Sequence, residues 1–243
     1  MSEWITGRNP IYEVLRAQRR QVNRLWVAQN TQVSGRLAQI IQLAQTQHIP
    51  VESVKRGNLD GIDPHHQGAA LNTGAYPYSD LESIIQHAES RGEPVFVLLL
   101  DQVQDPQNLG TLLRSAEAFG LHGVILPLAR SAAVTPAVVN ASSGATEMLL
   151  IAQHNLAQAM DRLKDAGGWM VGLEDSPEAQ TPDRVNLAGG IGLVVGNEAQ
   201  GLRKLVRQKC DLLLRLPMNG QIDSLNAAVA GSIALFLARQ ARG

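Results

Sequence analysis

Short apolar runs alternate with amphipathic stretches along most of this chain. From residue 94 onward, segments 95–100, 123–126, 169–173 and 191–195 are almost wholly apolar, and 211–216 is apolar except for Asp211 and Arg215. Runs this short predict strands buried on both faces of a sheet. Between them, apolar positions at helical spacing predict helices over 108–119, 154–166, about 200–208 and about 225–240. Strand and helix alternating at this spacing predict an α/β unit with a mostly parallel sheet. The first 73 residues carry a smaller version of the pattern. A helix is expected over 9–19, with Asn9 as its cap and Pro10 in its first position. Short strands are expected at 25–28, 50–54 and 68–71, with a helix over 34–47 whose Leu37, Ile40, Ile41 and Ala44 share one face. Segment 72–79, rich in turn formers, reads as a linker. The expected organisation is a small α/β domain over 1–73, a linker and leading helix over 74–93, and a larger α/β domain over 94–243.

Composition narrows the class. Of the 243 residues 44% are hydrophobic and 18% charged, which is the balance of a folded protein rather than a disordered one. No apolar run is long enough to cross a bilayer. The residues after Met1 lack the basic and apolar regions of a secretory signal, and Cys210 is the one cysteine. A cytoplasmic protein without an internal disulfide is expected. The net charge of −1 divides unevenly. Residues 1–73 carry eight Lys/Arg against five Asp/Glu, and the remainder thirteen against seventeen. Any polyanion contact is therefore expected in the first part, through Arg8, Arg16, Arg19, Arg20, Lys55 and Arg56.

Chemistry concentrates where three apolar runs end. The first cluster is Asp101, Asp105-Pro106 and Asn108-Leu109-Gly110, with Arg114 nearly two turns farther along the predicted helix. An Arg beside Asn and Gly at a strand-to-helix junction suits a phosphate or ribose, because its planar fork pairs bidentately; it could equally pair with Asp101 or Asp105. The second cluster, 196–201, has glycines at both ends but lacks the Lys and Ser/Thr of a phosphate-binding loop, and no dinucleotide fingerprint follows any strand. The third runs from Leu216-Pro217-Met218 through Asn219-Gly220 to Asp223-Ser224-Leu225-Asn226, where Asp223 or Ser224 would cap the last helix. The six histidines show no metal spacing, so no metal is expected. Carboxyl ends of strands are where open α/β sheets bind ligands, so three such loops predict one assembled site.

Taken together, the three clusters resemble the SpoU (TrmH-type) RNA 2′-O-methyltransferases. Asp101, Asp105-Pro106, Asn108, Gly110, Arg114-Ser115-Ala116 and Gly120 match the first motif of that family. Gly196-x-Glu198-x-x-Gly201 matches the second, and Leu216-Pro217-Met218-x-Gly220 with Ser224-Leu225-Asn226-x-x-Val229-Ala230 the third. More weakly, Gly7, Val14-Leu15 and His66-Gln67-Gly68 resemble the family's substrate-binding domain. The chain is most similar to the 23S rRNA guanosine-2′-O-methyltransferase group. The resemblance implies a catalytic domain with a carboxyl-terminal trefoil knot, S-adenosyl-L-methionine as cofactor, RNA as substrate and a homodimer with the active site at the subunit interface. It implies cofactor contacts at Gly196, Leu216, Met218 and Leu225. It places Asn108, Arg114, Glu198, Ser224 and Asn226 in catalytic or substrate-positioning roles. A tRNA target and an RNA-binding protein without turnover are the alternatives. Ala227-Ala228-Val229 departs from the Val-Ser-Val that family members often carry, which removes one hydroxyl.

Overall fold

The computed structural model describes residues 2–129, 131–197, 200–221 and 224–243. They fall into two units: residues up to Pro77 joined by Ala133–Met148, and Tyr78–Ala132 joined by Leu149–Gly243.

The first unit opens with β1 (Glu3–Thr6) and α1 (Arg8–Ala17). Ile11, Val14 and Leu15 give α1 its buried stripe. Its cap is Gly7 at φ 80°, not the expected Asn9, and Pro10 falls third in the helix. Any first-turn position suits proline, because those N–H groups have no helical partner. Next come β2 (Val22–Ala28), α2 (Arg36–Thr46), β3 (Val51–Val54), the short α3 (Arg56–Asp60) and β4 (Ala69–Thr73). The strands form one sheet in the order β1-β4-β2-β3. β2 and β3 are parallel across the α2 crossover, and β4 runs antiparallel to both β1 and β2. β1 and α3 were not expected; each is only one turn or four residues long, too short for a periodic signal.

The second unit starts with α4 (Leu81–Ser90), β5 (Phe96–Leu100), α5 (Pro106–Ala118) and β6 (Gly123–Pro127). Pro106 opens α5 two residues before the expected start, with Asp105 accepting the Asn108 N–H at 3.0 Å as its cap. The chain then returns to the first unit for α6 (Pro136–Ala141) and a 3-10 turn at Ala145–Glu147. Back in the second unit follow β7 (Ile151–His154), α7 (Leu156–Asp165), β8 (Gly168–Leu173), β9 (Gly190–Val195), α8 (Lys204–Lys209), β10 (Leu212–Leu214) and α9 (Ala227–Ala241). The helix expected over 154–166 thus gives its first residue to β7, with Asn155 capping α7.

All six strands of the second unit are parallel, in the order β10-β8-β9-β5-β6-β7. β5, β6 and β9 are buried along their whole length, as expected of central strands covered on both faces. Successive strands lead from β5 out to β7, then restart beyond β5 with β8 and β9. The order therefore reverses between β5 and β9, and a crevice opens beyond their carboxyl ends. None of the described helices is long and apolar enough to cross a membrane.

One buried histidine ties stability to pH. The Phe96 N–H donates to His122 Nδ1 at 2.9 Å, while His122 Nε2 meets Glu93 Oε2 at 3.1 Å. Nδ1 is thus an acceptor and the ring is neutral, and burial pulls its pKa below the ordinary histidine value. The unfolded chain takes up that proton near pH ~6.5 and the folded one only lower. Stability is therefore complete above about 6.5 and declines as the pH falls below it. Glu93, held low first by Arg91 and then by His122, adds its own loss only below ~4.5. We expect the urea midpoint to drop between pH 7 and 5.5, and His122→Asn to flatten that part of the profile. An equally steep profile in the variant would rule out His122 as the cause.

Candidate functional site

The loops after β5 and β9 are locked together at the topological reversal. Asp101, fully buried at the end of β5, accepts from the Arg203 backbone N–H at 2.8 Å and from Arg203 Nε at 2.6 Å. Its own N–H donates to Val195 O at 2.8 Å. The partner of Asp101 is thus Arg203, a pairing the sequence did not single out. Asn197 donates to Gln102 O at 3.0 Å and exchanges backbone hydrogen bonds with Gly201. Gly196 permits the close approach of Gly201, since a Cβ there would lie 2.5 Å from the Gly201 carbonyl.

The third motif joins through α9. Asn226, not Asp223 or Ser224, is the cap of this helix: its Oδ1 accepts from the Ala228 and Val229 N–H groups at 2.9 and 3.2 Å. Its Nδ2 donates to Asn108 Oδ1 at 3.0 Å, so one side chain caps α9 and reaches the first turn of α5. Both amides are thereby oriented from the helix termini. Ser115 and Ser232, 2.7 Å apart, hold α5 and α9 together farther along.

Two adjoining hollows result. The first, about 280 Å³, has apolar walls from Leu173, Leu214, Leu216, Met218 and Leu225, with Gly196 and Ser224 also at its surface. Glu174 and Asp175 stand at the end of β8 beside it. The second, about 410 Å³, is lined by Gln102, Asp105, Asn108, Asn197 and Gln200. Gly196, Asn197 and Ala227 border both. An apolar slot opening into a polar hollow is the arrangement for holding a flat hydrophobic group beside a hydroxylated one.

The structure thus brings Asn108, Gly196, Leu216, Met218, Ser224, Leu225 and Asn226 to one place. Arg114 is exposed on α5 and lines neither hollow. Glu198 lies outside the described residues, as does the cap candidate Asp223. Glu174 and Asp175 were missed, although the rule that strand ends carry ligands pointed to them once 169–173 was read as a strand. Cys210 packs against Gly172 and donates to Val206 O, and burial pushes its thiol up to about 12, away from the reactive thiolate.

In the first unit the expected polyanion contacts separate. Arg20 is not available: its side chain is fully buried, in a bidentate pair with the equally buried Glu147, and it also meets Glu3 at 3.3 Å. Arg19 donates to the carbonyls of Thr146, Glu147 and Pro77, which makes it a brace for the 145–147 turn. Both cations were counted as surface charge because the segment that engages them lies more than 120 residues away. Arg16 is exposed and pairs with Glu13, while Lys55 is exposed. Arg8 and Arg56 line a separate cavity with Thr31, Gln67 and Gly68.

Comparison with known proteins decides the family. Residues 95–236 match the SpoU rRNA Methylase family, and residues 4–79 match the RNA 2′-O ribose methyltransferase substrate-binding domain. The chain belongs to the SpoU family. A Bacillus subtilis relative named as a TrmH family tRNA/rRNA methyltransferase, YacO, is 38% identical over 96% of this chain and 94% of its own. An uncharacterized tRNA/rRNA methyltransferase of Mycolicibacterium vanbaalenii is 40% identical over 99% of this chain and 77% of its own. The SpoU methyltransferase AviRb from Streptomyces viridochromogenes, crystallised with AdoMet, superposes with a TM-score of 0.82 at 24% identity, covering 99% of this chain and 90% of that one. An AdoMet-bound rRNA methyltransferase from Sinorhizobium meliloti gives 0.80 at 25% identity, over 98% and 87%. The SpoU fold, a small α/β domain and a parallel-sheet domain with a carboxyl-terminal trefoil knot, is the fold of this chain. Its reaction class is that of the family, S-adenosylmethionine-dependent methylation of RNA at a ribose 2′-oxygen.

The residues present suit that cofactor. The apolar slot between Leu173, Leu214, Leu216 and Leu225 matches an adenine ring, and the carboxylates of Glu174 and Asp175 match its hydroxyls and positive charge. Met218 and Leu225 remain partly exposed beside the slot, apolar surface that a bound ring would cover.

Proposed function

We propose that this protein methylates a guanosine ribose of 23S rRNA in the cytoplasm, working as a homodimer. The hydrogen bond between Asn226 and Asn108 carries the reading, because it joins motifs one and three at the border of an apolar and a polar hollow. S-adenosylmethionine supplies an activated methyl group with a good leaving group. Gly196, Leu216, Met218 and Leu225 hold it, and Asn108, Ser224 and Asn226 orient the ribose in the adjoining hollow. The 2′-hydroxyl is a weak nucleophile and must lose its proton as it attacks. A guanidinium is a donor that does not give up its proton in proteins, so Arg114 serves as an electrostatic clamp on the neighbouring phosphate and on the charge growing at the 2′-oxygen. Glu198 orients Arg114 in this scheme, and the proton leaves through the phosphate or a water.

The dimer is supported by α9, which leaves Val229, Ile233 and Phe236 between 39% and 46% exposed at spacings of four and three residues. That stripe runs along one face, and an unpartnered apolar face of this kind marks a subunit contact. A two-fold partner would also bring its Arg114 to a cleft that each subunit's own Arg114 does not line.

The test is methyl incorporation from labelled S-adenosylmethionine into total RNA of cells lacking this protein, with the modified nucleotide then mapped. Label at a single 23S rRNA guanosine is expected. Label in tRNA alone would refute the ribosomal target, and none in any RNA would favour an RNA-binding protein without turnover.

A further inference from the structure

The first unit contains a second built cavity, remote in sequence from the three catalytic motifs. β2 and β3 are parallel and joined by α2, so the loops after them emerge at the same edge of the sheet, again the end where such folds take ligands. There a cavity of about 430 Å³ is lined by Arg8, Thr31, Arg56, Gln67 and Gly68. Four of these five offer polar side chains, Arg8 from α1, Thr31 from the loop after β2, Arg56 from α3 and Gln67 from the turn it forms with Gly68.

That turn is held in a costly backbone conformation. Gln67 has φ 54° and Gly68 φ 89°, both left-handed. Buried His66 enforces it by accepting the Gly68 N–H on Nδ1 at 2.8 Å, while its Nε2 meets Asp60 at 3.1 Å. A Cβ on Gly68 would come 3.0 Å from the Thr31 methyl, so Thr31 closes directly on this glycine. Gln67 in turn fixes Arg8. Its side-chain Oε1 accepts the Arg8 backbone N–H at 3.0 Å, and its carbonyl accepts Arg8 Nε at 3.1 Å. The guanidinium has five N–H donors, and this contact uses one while setting the plane of the others. Arg56 reaches Asp60 only at 4.0 Å, and that carboxylate is shared with His66. Backbone strain held by a buried histidine, and fixing an arginine beside a hollow, is of the kind that clusters at ligand clamps.

We infer that this cavity binds a phosphodiester group of the RNA substrate, with Arg8 and Arg56 pairing its oxygens and the Thr31 hydroxyl and Gln67 amide meeting the adjoining ribose. The inference rests on the RNA methyltransferase reading above and adds where the first unit grips the strand. Two planar forks suit phosphate oxygens, and Thr31 and Gln67 supply the donor and acceptor that a ribose hydroxyl needs.

The experiment uses the full chain and its Arg8→Gln, Arg56→Gln and Arg56→Lys variants. Retention of labelled, deproteinised 23S rRNA and tRNA from a strain lacking the protein is measured across a salt titration. Calorimetry with S-adenosylmethionine is run on the same preparations. Each Gln variant is expected to bind its RNA about tenfold or more weakly and to lower the salt slope by about 1, with cofactor affinity unchanged. Arg56→Lys should keep the slope. Arg56 is 72% exposed, so its replacement spares the fold even if that of Arg8 does not. Unchanged affinity and slope in the Arg56→Gln protein, with wild type binding both RNA and cofactor, would overturn the inference alone. Wild type that binds cofactor but no RNA would overturn it too. Wild type that binds neither would bring down the methyltransferase reading with it.

Discussion

Arg20→Met will destabilise the first unit by about 3–5 kcal/mol, because it leaves a carboxylate buried without its partner. Glu147 has no exposed side-chain surface, and Arg20 is bound to it through Nε at 3.0 Å and a terminal nitrogen at 2.7 Å. Thr146 Oγ1 adds a third donor to the same carboxylate at 3.0 Å, and the Tyr76 ring lies 4.8 Å from the guanidinium. The pair matters to the fold because Glu147 belongs to the segment that returns from the second unit, so Arg20 is its anchor. Urea unfolding should show a lower midpoint with little change in slope for the transition of this unit. Pairing Arg20→Met with Glu147→Leu should recover most of the loss, since replacing both partners removes the orphaned charge. If the double variant is no more stable than Arg20→Met, the buried charge is not the cause.

Arg114→Lys will lower kcat by a factor of about 10²–10³ while leaving cofactor affinity unchanged. A lysine keeps the positive charge but not the planar fork, so it can meet one oxygen where the guanidinium spans two. Its absence from the lining of the cofactor slot predicts the unchanged affinity. Single-turnover methylation separates this from a binding defect, because the loss should persist at saturating RNA. Full activity in Arg114→Lys would mean that bidentate geometry is dispensable and that the clamp assigned to this residue is wrong. Mixing Arg114→Lys with a variant defective only in the cofactor slot should restore activity in part if the sites are shared across a two-fold axis.

Much of this architecture is written locally. The apolar runs at 95–100, 123–126 and 191–195 became the central strands because nothing but a position covered on both faces accommodates them. Their polar successors stand in the crevice because strand ends and helix starts leave backbone groups unsatisfied there. Other assignments slipped by a few residues where two local solutions compete. Asn226 took the cap that Asp223 or Ser224 offered equally well, and Pro106 began a helix where it could also have ended a turn.

What local pattern could not contain was the pairing of distant charges. Arg203 with Asp101, and Arg20 with Glu147, depend on which loops the completed sheets bring together across more than a hundred residues. The same holds for the return of Ala133–Met148 to the first unit. By itself the sequence determined most of the strands, the parallel class of the larger sheet and the three loops that carry the chemistry, since hydrophobic period and backbone capping act over a few residues. Only the tertiary structure decided which arginines are buried and which are available to RNA, because burial is a property of what packs above a residue and not of the residue.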